Sequence, residues 1–141
     1  MRTVRDDEGR HLLLVKQSGD SSLVRDPDTG TERYVDNDRL HPVDGESPLT
    51  TAASGVPTAV RRAVTACRSE RGLGLLVDLA DRGPVAAVDL LAATDLCESD
   101  LHGQLAEFRA AGLVEEAGAA GERGYDATDL GREAVATLRG D

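Results

Sequence analysis

A chain of 141 residues is long enough for one domain with a small attachment. It carries 26 acidic and 16 basic residues, and this net charge of −10 excludes attraction of nucleic-acid phosphate by the overall field. The two cysteines and three scattered histidines lack metal-ligand spacing, and no apolar run approaches the roughly 18 residues of a membrane span, so no metal site and no membrane helix are expected.

Residues 1–45 are predicted to form a small antiparallel β-meander of three or four strands. Short apolar segments alternate with turn signals, the clearest of which is Asp26–Gly30, DPDTG. Pro27 presets φ for a turn, and Gly30 is suited to a positive φ. Pro42 is expected to end the strand ladder. About forty residues bury little core alone, so we expect the meander to pack on the helical part or on a second copy of itself.

Residues 46–57 are rich in Gly, Ser, Thr and Pro and predict a linker. Pro57 suits the first turn of a helix that continues to about Arg68. The apolar residues that recur at helical spacing on this helix are Val56, Val60, Ala63, Val64 and Cys67. The other side of the helix begins the only basic stretch of the chain, which consists of Arg61, Arg62, Arg68 and Arg71.

Three further helices are predicted between residues 70 and 111. Ser69 is placed to cap the first, which continues to about Arg82 and ends at Gly83–Pro84. The second covers residues 86–94, and the third covers residues 98–111 after a short turn. The predicted inward residues of the three helices are, in order, Leu73, Leu76, Val77 and Ala80; Leu90 and Leu91; and Leu101, Leu105 and Phe108.

The end of the chain is predicted to contain a β-hairpin and a closing helix. Residues 113–128 are expected to form two short strands on either side of a glycine-rich tip, Gly121-Glu122-Arg123-Gly124. The closing helix covers residues 129–138, and its predicted inward residues are Leu130, Ala134, Val135 and Leu138.

Two of these stretches carry a family resemblance. Leu90–Glu116, LLAATDLCESDLHGQLAEFRAAGLVEE, has the layout of a helix, a three-residue turn, a second helix and the first strand of a hairpin. Tyr125–Leu138, YDATDLGREAVATL, follows as the returning strand and the last helix. Residues 71–139 thereby resemble a winged helix-turn-helix domain of the MarR/ArsR type. The resemblance implies a winged helix-turn-helix domain over residues 58–141. Together with the β-meander predicted for residues 1–45, which carries no family resemblance, this gives an α+β fold.

The resemblance also implies a DNA-binding transcriptional regulator. In this fold the helix at residues 98–111 enters the major groove of double-stranded DNA, and the hairpin reaches the minor groove or a phosphate. Because this helix offers few base contacts, DNA binding would require the avidity of a homodimer. The candidate DNA-binding residues are Ser99, His102, Gly103, Gln104, Arg109, Arg123, Arg61, Arg62, Arg68 and Arg71.

A second interpretation remains open, that of a protein-interaction module without sequence-specific DNA binding. The helix at residues 98–111 carries one arginine against three carboxylates, whereas DNA readers usually present Arg, Lys, Asn or Gln. Its outward ridge consists of small residues that allow close packing against a partner helix or a second copy: Ser99, Gly103, Ala106 and Ala110. The arginine-rich stretch at residues 61–71 is then only a solvated face of a very acidic chain.

Several classes of protein are not indicated. There is no GxSxG motif, no phosphate loop and no set of Rossmann glycines, so the sequence predicts neither an enzyme nor a bound cofactor. The Asp-rich, Ile-free composition with one lysine resembles that of cytoplasmic proteins of extremely halophilic archaea, whose molar salt screens such charge. The N-terminus lacks a secretory apolar segment, which predicts a cytoplasmic location and favours buried free thiols at Cys67 and Cys97 over a disulfide.

Overall fold

The computed structural model describes residues 1–141 as an α+β chain with two compact units, Met1–Pro57 and Thr58–Asp141. We call these unit 1 and unit 2. Each unit has its own cluster of buried apolar side chains. No helix in either unit combines the length and the apolar character that a bilayer crossing requires.

Unit 1 is built on a five-stranded antiparallel sheet with the strand order β4-β3-β2-β1-β5. The predicted meander is confirmed, and a two-residue fifth strand ends at Pro42, which lies opposite Val4. A 3₁₀ turn at Asn37–Arg39 precedes this strand. Gly30 has a φ of 73°, as the DPDTG turn requires. The strands are β1 (Arg2–Arg5), β2 (His11–Lys16), β3 (Ser21–Arg25), β4 (Glu32–Asp36) and β5 (His41–Pro42).

The segment predicted as a linker contains a helix instead, α1 (Pro48–Ala53). The hydroxyl of Ser47 caps it by accepting a hydrogen bond from the Leu49 N–H, and Pro48 suits its first turn. Thr51 is buried, and its hydroxyl lies 2.6 Å from the hydroxyl of Thr3 in β1. The Ser, Thr and Pro residues that indicated a linker therefore form a helix cap, the first turn of a helix and a buried polar contact with the sheet.

Unit 2 contains five helices and a three-stranded antiparallel sheet with the order β6-β8-β7. The two-residue strand β6 was not predicted, because it is too short to carry a periodic signal. Its residues Val85 and Ala86 pair with Tyr125 and Gly124 of β8. The elements are α2 (Thr58–Ala66), α3 (Glu70–Arg82), β6 (Val85–Ala86), α4 (Ala87–Ala93), α5 (Glu98–Ala110), β7 (Val114–Ala119), β8 (Glu122–Ala127) and α6 (Asp129–Arg139).

The hairpin β7–β8 turns tightly at Ala120 and Gly121, whose φ angles are both positive at 51° and 78°. Two central residues with positive φ match the right-handed twist of the flanking strands. The predicted hairpin is confirmed, but the tip lies earlier than predicted. Arg123 consequently belongs to strand β8, opposite Gly118, and does not lie in the turn.

The core of unit 2 forms where α3, α4 and α5 meet the sheet and α6. Leu101, Leu105 and Phe108 are at most 1% exposed, which confirms the predicted inward face of α5. Ser69 caps α3 as predicted, because its hydroxyl accepts a hydrogen bond from the Gly72 N–H at 3.1 Å. The remaining large members of the core are Leu75, Leu76, Leu79, Val85, Leu90, Leu113, Val114, Tyr125 and Val135.

Four predicted inward residues were wrong, since Val56, Val64, Leu91 and Leu138 are exposed. Val56 lies before the first residue of α2, Thr58. Helix α2 turns its alanines inward, at Ala59, Ala63 and Ala66, so the neighbouring valine is rotated outward. In α4 the buried position is Leu90, and the next residue along a helix points about 100° away. Leu138 lies in the last turn of α6, beyond the buried residues Ala134 and Val135.

Candidate functional site

The outer side of α5 is the surface on which five of the ten candidate residues were placed. Helix α5 begins at Glu98, directly after the turn that follows α4, and ends at Ala110. Its apolar stripe anchors it to the core, so the opposite side faces solvent. The exposed residues of the helix are Glu98, Ser99, Asp100, His102, Ala106, Glu107, Arg109 and Ala110.

Gln104 does not belong to this exposed surface, and the prediction that it reads base edges is wrong. The side chain is only 3% exposed. Its Nε2 donates to the carbonyl of Ala66 at 2.8 Å, and its Oε1 accepts from the Arg68 N–H at 2.9 Å. Helical spacing explains the burial, because positions 101, 104, 105 and 108 form one continuous stripe.

Gly103 lies beneath the side chain of Arg68. A Cβ built on Gly103 would be 2.7 Å from Nη1 of Arg68, so the missing side chain leaves room for the guanidinium. The Nη2 of Arg68 donates to Oε1 of Glu107, one turn further along α5, at 3.2 Å. Gly103 therefore does not offer the bare surface that was predicted, and Arg68 lies on the outer side of α5 in its place.

The other three arginines of the basic stretch have different surroundings. Arg71 donates to the carbonyl of Asp95 at 3.2 Å and lies 3.6 Å from the Asp95 carboxylate, in the turn before α5. Arg62 donates to the carbonyl of Ala111 at the other end of α5, where it satisfies a free helix-end carbonyl. Arg61 contacts the hydroxyl of Thr58 within its own helix. Contacts thus place Arg71 at the turn before α5, Arg68 on its outer side and Arg62 at its end.

Arg109 of α5 and Arg123 of β8 meet at one carboxylate, that of Glu116 in β7. The distances from Glu116 Oε1 are 3.3 Å to Nη1 of Arg109 and 2.9 Å to Nη2 of Arg123. The hydrogen bond from Arg123, with the charges of both arginines, lowers the pKa of Glu116, and the same bond raises the pKa of Arg123. This triad links the hairpin to the outer side of α5.

The remaining candidates are exposed and weakly held. Nε2 of His102 lies 3.9 Å from the Glu98 carboxylate, one turn earlier on the helix. The hydroxyl of Ser99 lies 3.4 Å from Sγ of Cys97, which precedes α5 and is exposed rather than buried as predicted. Cys67 is partly buried, and this burial raises its thiol pKa. No three His, Cys, Asp or Glu side chains are grouped so that they would hold a metal ion.

The ion pairs on this surface are exposed on both sides. The side chains of Arg68 and Glu107 are 54% and 51% exposed, and those of Arg123 and Glu116 are 78% and 41% exposed. Such pairs typically contribute no more than about 1 kcal/mol to stability. The arginines can therefore exchange these carboxylates for another oxyanion at small cost.

The carboxylates that pair with the arginines were not predicted as part of the site. Glu116 could be found from the register of the hairpin. In this register Gly118 of β7 lies opposite Arg123 of β8, and Glu116 is two positions before Gly118. A residue two positions from a direct cross-strand neighbour lies on the same face and is within reach of a long side chain. No comparable signal exists for Glu107, since its partner Arg68 comes from a separate, non-helical connection.

Comparison with known protein families places the chain in one of them. A family described as "Family of unknown function (DUF7346)" matches residues 1–139, so the chain belongs to this family. Neither a curated protein nor a solved structure matches the chain.

Proposed function

We propose that unit 2 is a winged helix-turn-helix domain of the MarR/ArsR-like type and that the chain is a DNA-binding transcriptional regulator that acts as a homodimer. The order of elements supports this proposal. Helices α3, α4 and α5 are followed by the hairpin β7–β8, and β6, between α3 and α4, completes a small sheet. In a helix-turn-helix domain the second helix of the motif, here α5, presents its outer side to the major groove.

The observation that carries the proposal is the gathering of four arginines around α5 from separate segments. Arg68 lies over Gly103, and Arg71 contacts the turn at Asp95. Arg109 and Arg123 meet at Glu116, where the hairpin adjoins the helix. A set of guanidinium groups around one exposed helix suits the phosphates that flank a groove, because phosphate contacts fix the orientation of a protein on duplex DNA.

Base recognition in this proposal is limited to a few side chains. With Gln104 buried, His102 and Ser99 are the exposed polar residues of α5 that are neither acidic nor paired with the hairpin. One helix of this kind gives weak discrimination, since each good bidentate base contact contributes about 1–3 kcal/mol. Two copies of the chain on one duplex would double these contacts, which is the reason for proposing a homodimer.

The test is duplex binding by fluorescence anisotropy at several salt concentrations, with light scattering in the same buffers. Four phosphate contacts per chain, and therefore eight per homodimer, predict a slope of about −7.2 in log K against log salt. Arg123→Ala is expected to weaken binding, whereas Arg139→Ala is the matched control because Arg139 pairs with Asp81. Selection from a random duplex library then reports sequence preference. No binding by the unaltered protein at about 50 mM salt would overturn the proposal.

A second candidate function is protein docking on the outer side of α5. The observation in its favour is the helix's charge: three carboxylates and one arginine leave it acidic, and the exposed Ala106 and Ala110 offer a flat apolar strip. Ala106→Arg separates the two functions. A large cation there would abolish packing of a partner helix, but it would leave DNA binding intact or strengthen it. Loss of dimerisation in this variant, with no duplex binding by either protein, would favour docking.

A further inference from the structure

Gln104 is the one polar residue of unit 2 that is buried. Its amide joins α5 to two backbone groups outside that helix, the Ala66 carbonyl at 2.8 Å and the Arg68 N–H at 2.9 Å. Ala66 is the last residue of α2, and Arg68 lies in the connection to α3. Both hydrogen-bonding ends of the amide are used, so the connection is held against α5 at a defined position.

Two glycines leave the space that this arrangement needs. A Cβ on Gly72 would lie 2.3 Å from Oε1 of Gln104, so the buried amide fits only beside a residue without a side chain. A Cβ on Gly103 would lie 2.7 Å from Nη1 of Arg68. Gly72 therefore leaves room for the Gln104 amide, and Gly103 leaves room for the Arg68 guanidinium on the outer side of α5.

We infer that Gln104 is a positioning residue that holds Arg68 on the outer side of α5 for contact with a DNA phosphate; this inference rests on the proposed function. Arg68 lies outside any helix, so its backbone has no helical hydrogen bond to fix it. Gln104 supplies that bond, and Glu107 occupies the guanidinium with a carboxylate at 3.2 Å. A phosphate oxygen takes the place of the carboxylate oxygen in the complex, and the planar guanidinium keeps its donor geometry.

The test compares the salt dependence of binding to a mixed-sequence duplex for the unaltered protein, Arg68→Ala, Gln104→Met and the double variant. Loss of one phosphate contact per chain removes two from the homodimer and lowers the steepness of log K against log salt by about 1.8. Each single variant is expected to show this loss, and the double variant is expected to lose nothing more. Circular dichroism at each salt concentration gives the folded fraction, and a binding constant referred to folded protein separates a change in the position of Arg68 from a stability defect. Arg139→Ala should keep the full slope.

Gly103→Ala provides a second route that leaves the buried amide untouched, in case Gln104→Met does not fold. The added Cβ displaces the Arg68 guanidinium, so the slope should fall as it does for Arg68→Ala. Amide hydrogen exchange gives a readout without DNA: the Arg68 N–H should be protected in the unaltered protein and in Gly103→Ala, and exposed in Gln104→Met.

The outcomes separate this inference from the proposed function. If the unaltered protein fails to bind duplex, the proposed function is overturned, and the phosphate role of Arg68 with it. If it binds and Arg68→Ala keeps the full slope, only the inference is overturned. The same holds if the losses in Gln104→Met and Arg68→Ala add up in the double variant, or if the Arg68 N–H exchanges freely in the unaltered protein.

Discussion

The carboxylate of Asp26 organises the turn between β3 and β4 through two different partners. Its Oδ1 accepts from the Asp28 N–H at 2.8 Å, and its Oδ2 accepts from Nη2 of Arg10 at 2.6 Å. The backbone hydrogen bond and then the arginine lower the pKa of this carboxyl from its ordinary value of 3.8. The side chain is only 16% exposed, so water does little to replace these partners.

Asp26→Asn is expected to destabilise unit 1 by about 1 kcal/mol at neutral pH, because a charged hydrogen bond is lost. The depressed folded-state pKa means that the wild-type advantage is fully present above the unfolded pKa. It disappears as pH falls from about 3.8 through the lower folded-state value. Urea unfolding from pH 7 to pH 2 measures the difference. Asp28→Asn is the control, since its carboxylate lies 3.9 Å from Arg10 and is 65% exposed. A difference that stayed constant across this range would contradict the assignment.

The burial of residues on α5 was predictable where the chemistry of the side chain and its position on the helix agree. Leu101, Leu105 and Phe108 are apolar and recur at helical spacing, so their burial followed from pattern alone. Gln104 has the same spacing but a polar side chain, and its chemistry suggested an outward role. Its burial depends on Ala66 and Arg68, which are more than thirty positions away in sequence and offer the amide its partners. A single sequence carries no sign of such a contact.

At the scale of elements, the longer helices and the hairpin were predictable because each carries its own caps and turn residues. Ser69 begins α3, and the turn residue Gly121 has the positive φ that closes the hairpin. The helix α1 was missed because its six residues, PLTTAA, lie within a stretch rich in Gly, Ser, Thr and Pro that has the composition of a linker. The strand β6 exists only through its pairing with β8, a non-local contact that no local pattern encodes.

Gly124 is the point at which β6 and β8 come closest. A Cβ there would lie 2.3 Å from the carbonyl oxygen of Val85 and 3.0 Å from Cα of Ala86. Both neighbours are backbone atoms and cannot rotate away as a side chain would. Gly124→Ala is therefore expected to separate β6 from β8 and to destabilise unit 2 by about 1–3 kcal/mol, the usual range for overpacking.

Hydrogen exchange of the amides of residues 85 and 125, together with chemical unfolding, measures this effect. Gly118→Ala is the matched control in the same hairpin, because a Cβ at Gly118 meets nothing within 4 Å. In β7 the control should be neutral or slightly stabilising, since alanine restricts the unfolded chain more than glycine does. Equal effects of the two substitutions would show that the close approach at Gly124 does not limit this position.

At the scale of the whole molecule, the net charge of −10 sets the response to salt. The arginines beside α5 each have an acidic partner, so the excess carboxylates repel one another across the rest of the surface. The Debye length falls from about 10 Å at 0.1 M salt to about 3 Å at 1 M. Screening of this repulsion stabilises the folded chain, whereas screening of phosphate contacts would weaken the proposed DNA binding.

The two effects predict opposite salt dependences in one protein. The thermal unfolding midpoint should rise between 0.1 M and 1 M NaCl, while the proposed duplex affinity should fall over the same range with a slope of about −7.2 for the homodimer. A variant with two fewer negative charges, Glu115→Gln with Glu133→Gln, isolates the charge effect, because both side chains are exposed and belong to none of the ion pairs around α5. Its midpoint should be higher at low salt and less responsive to NaCl. An unfolding midpoint that responded to NaCl equally in both proteins would assign the stabilisation to the apolar core instead of to charge. The slope of duplex binding should match in the two proteins, because the number of phosphate contacts is set by the arginines beside α5 and not by the total charge.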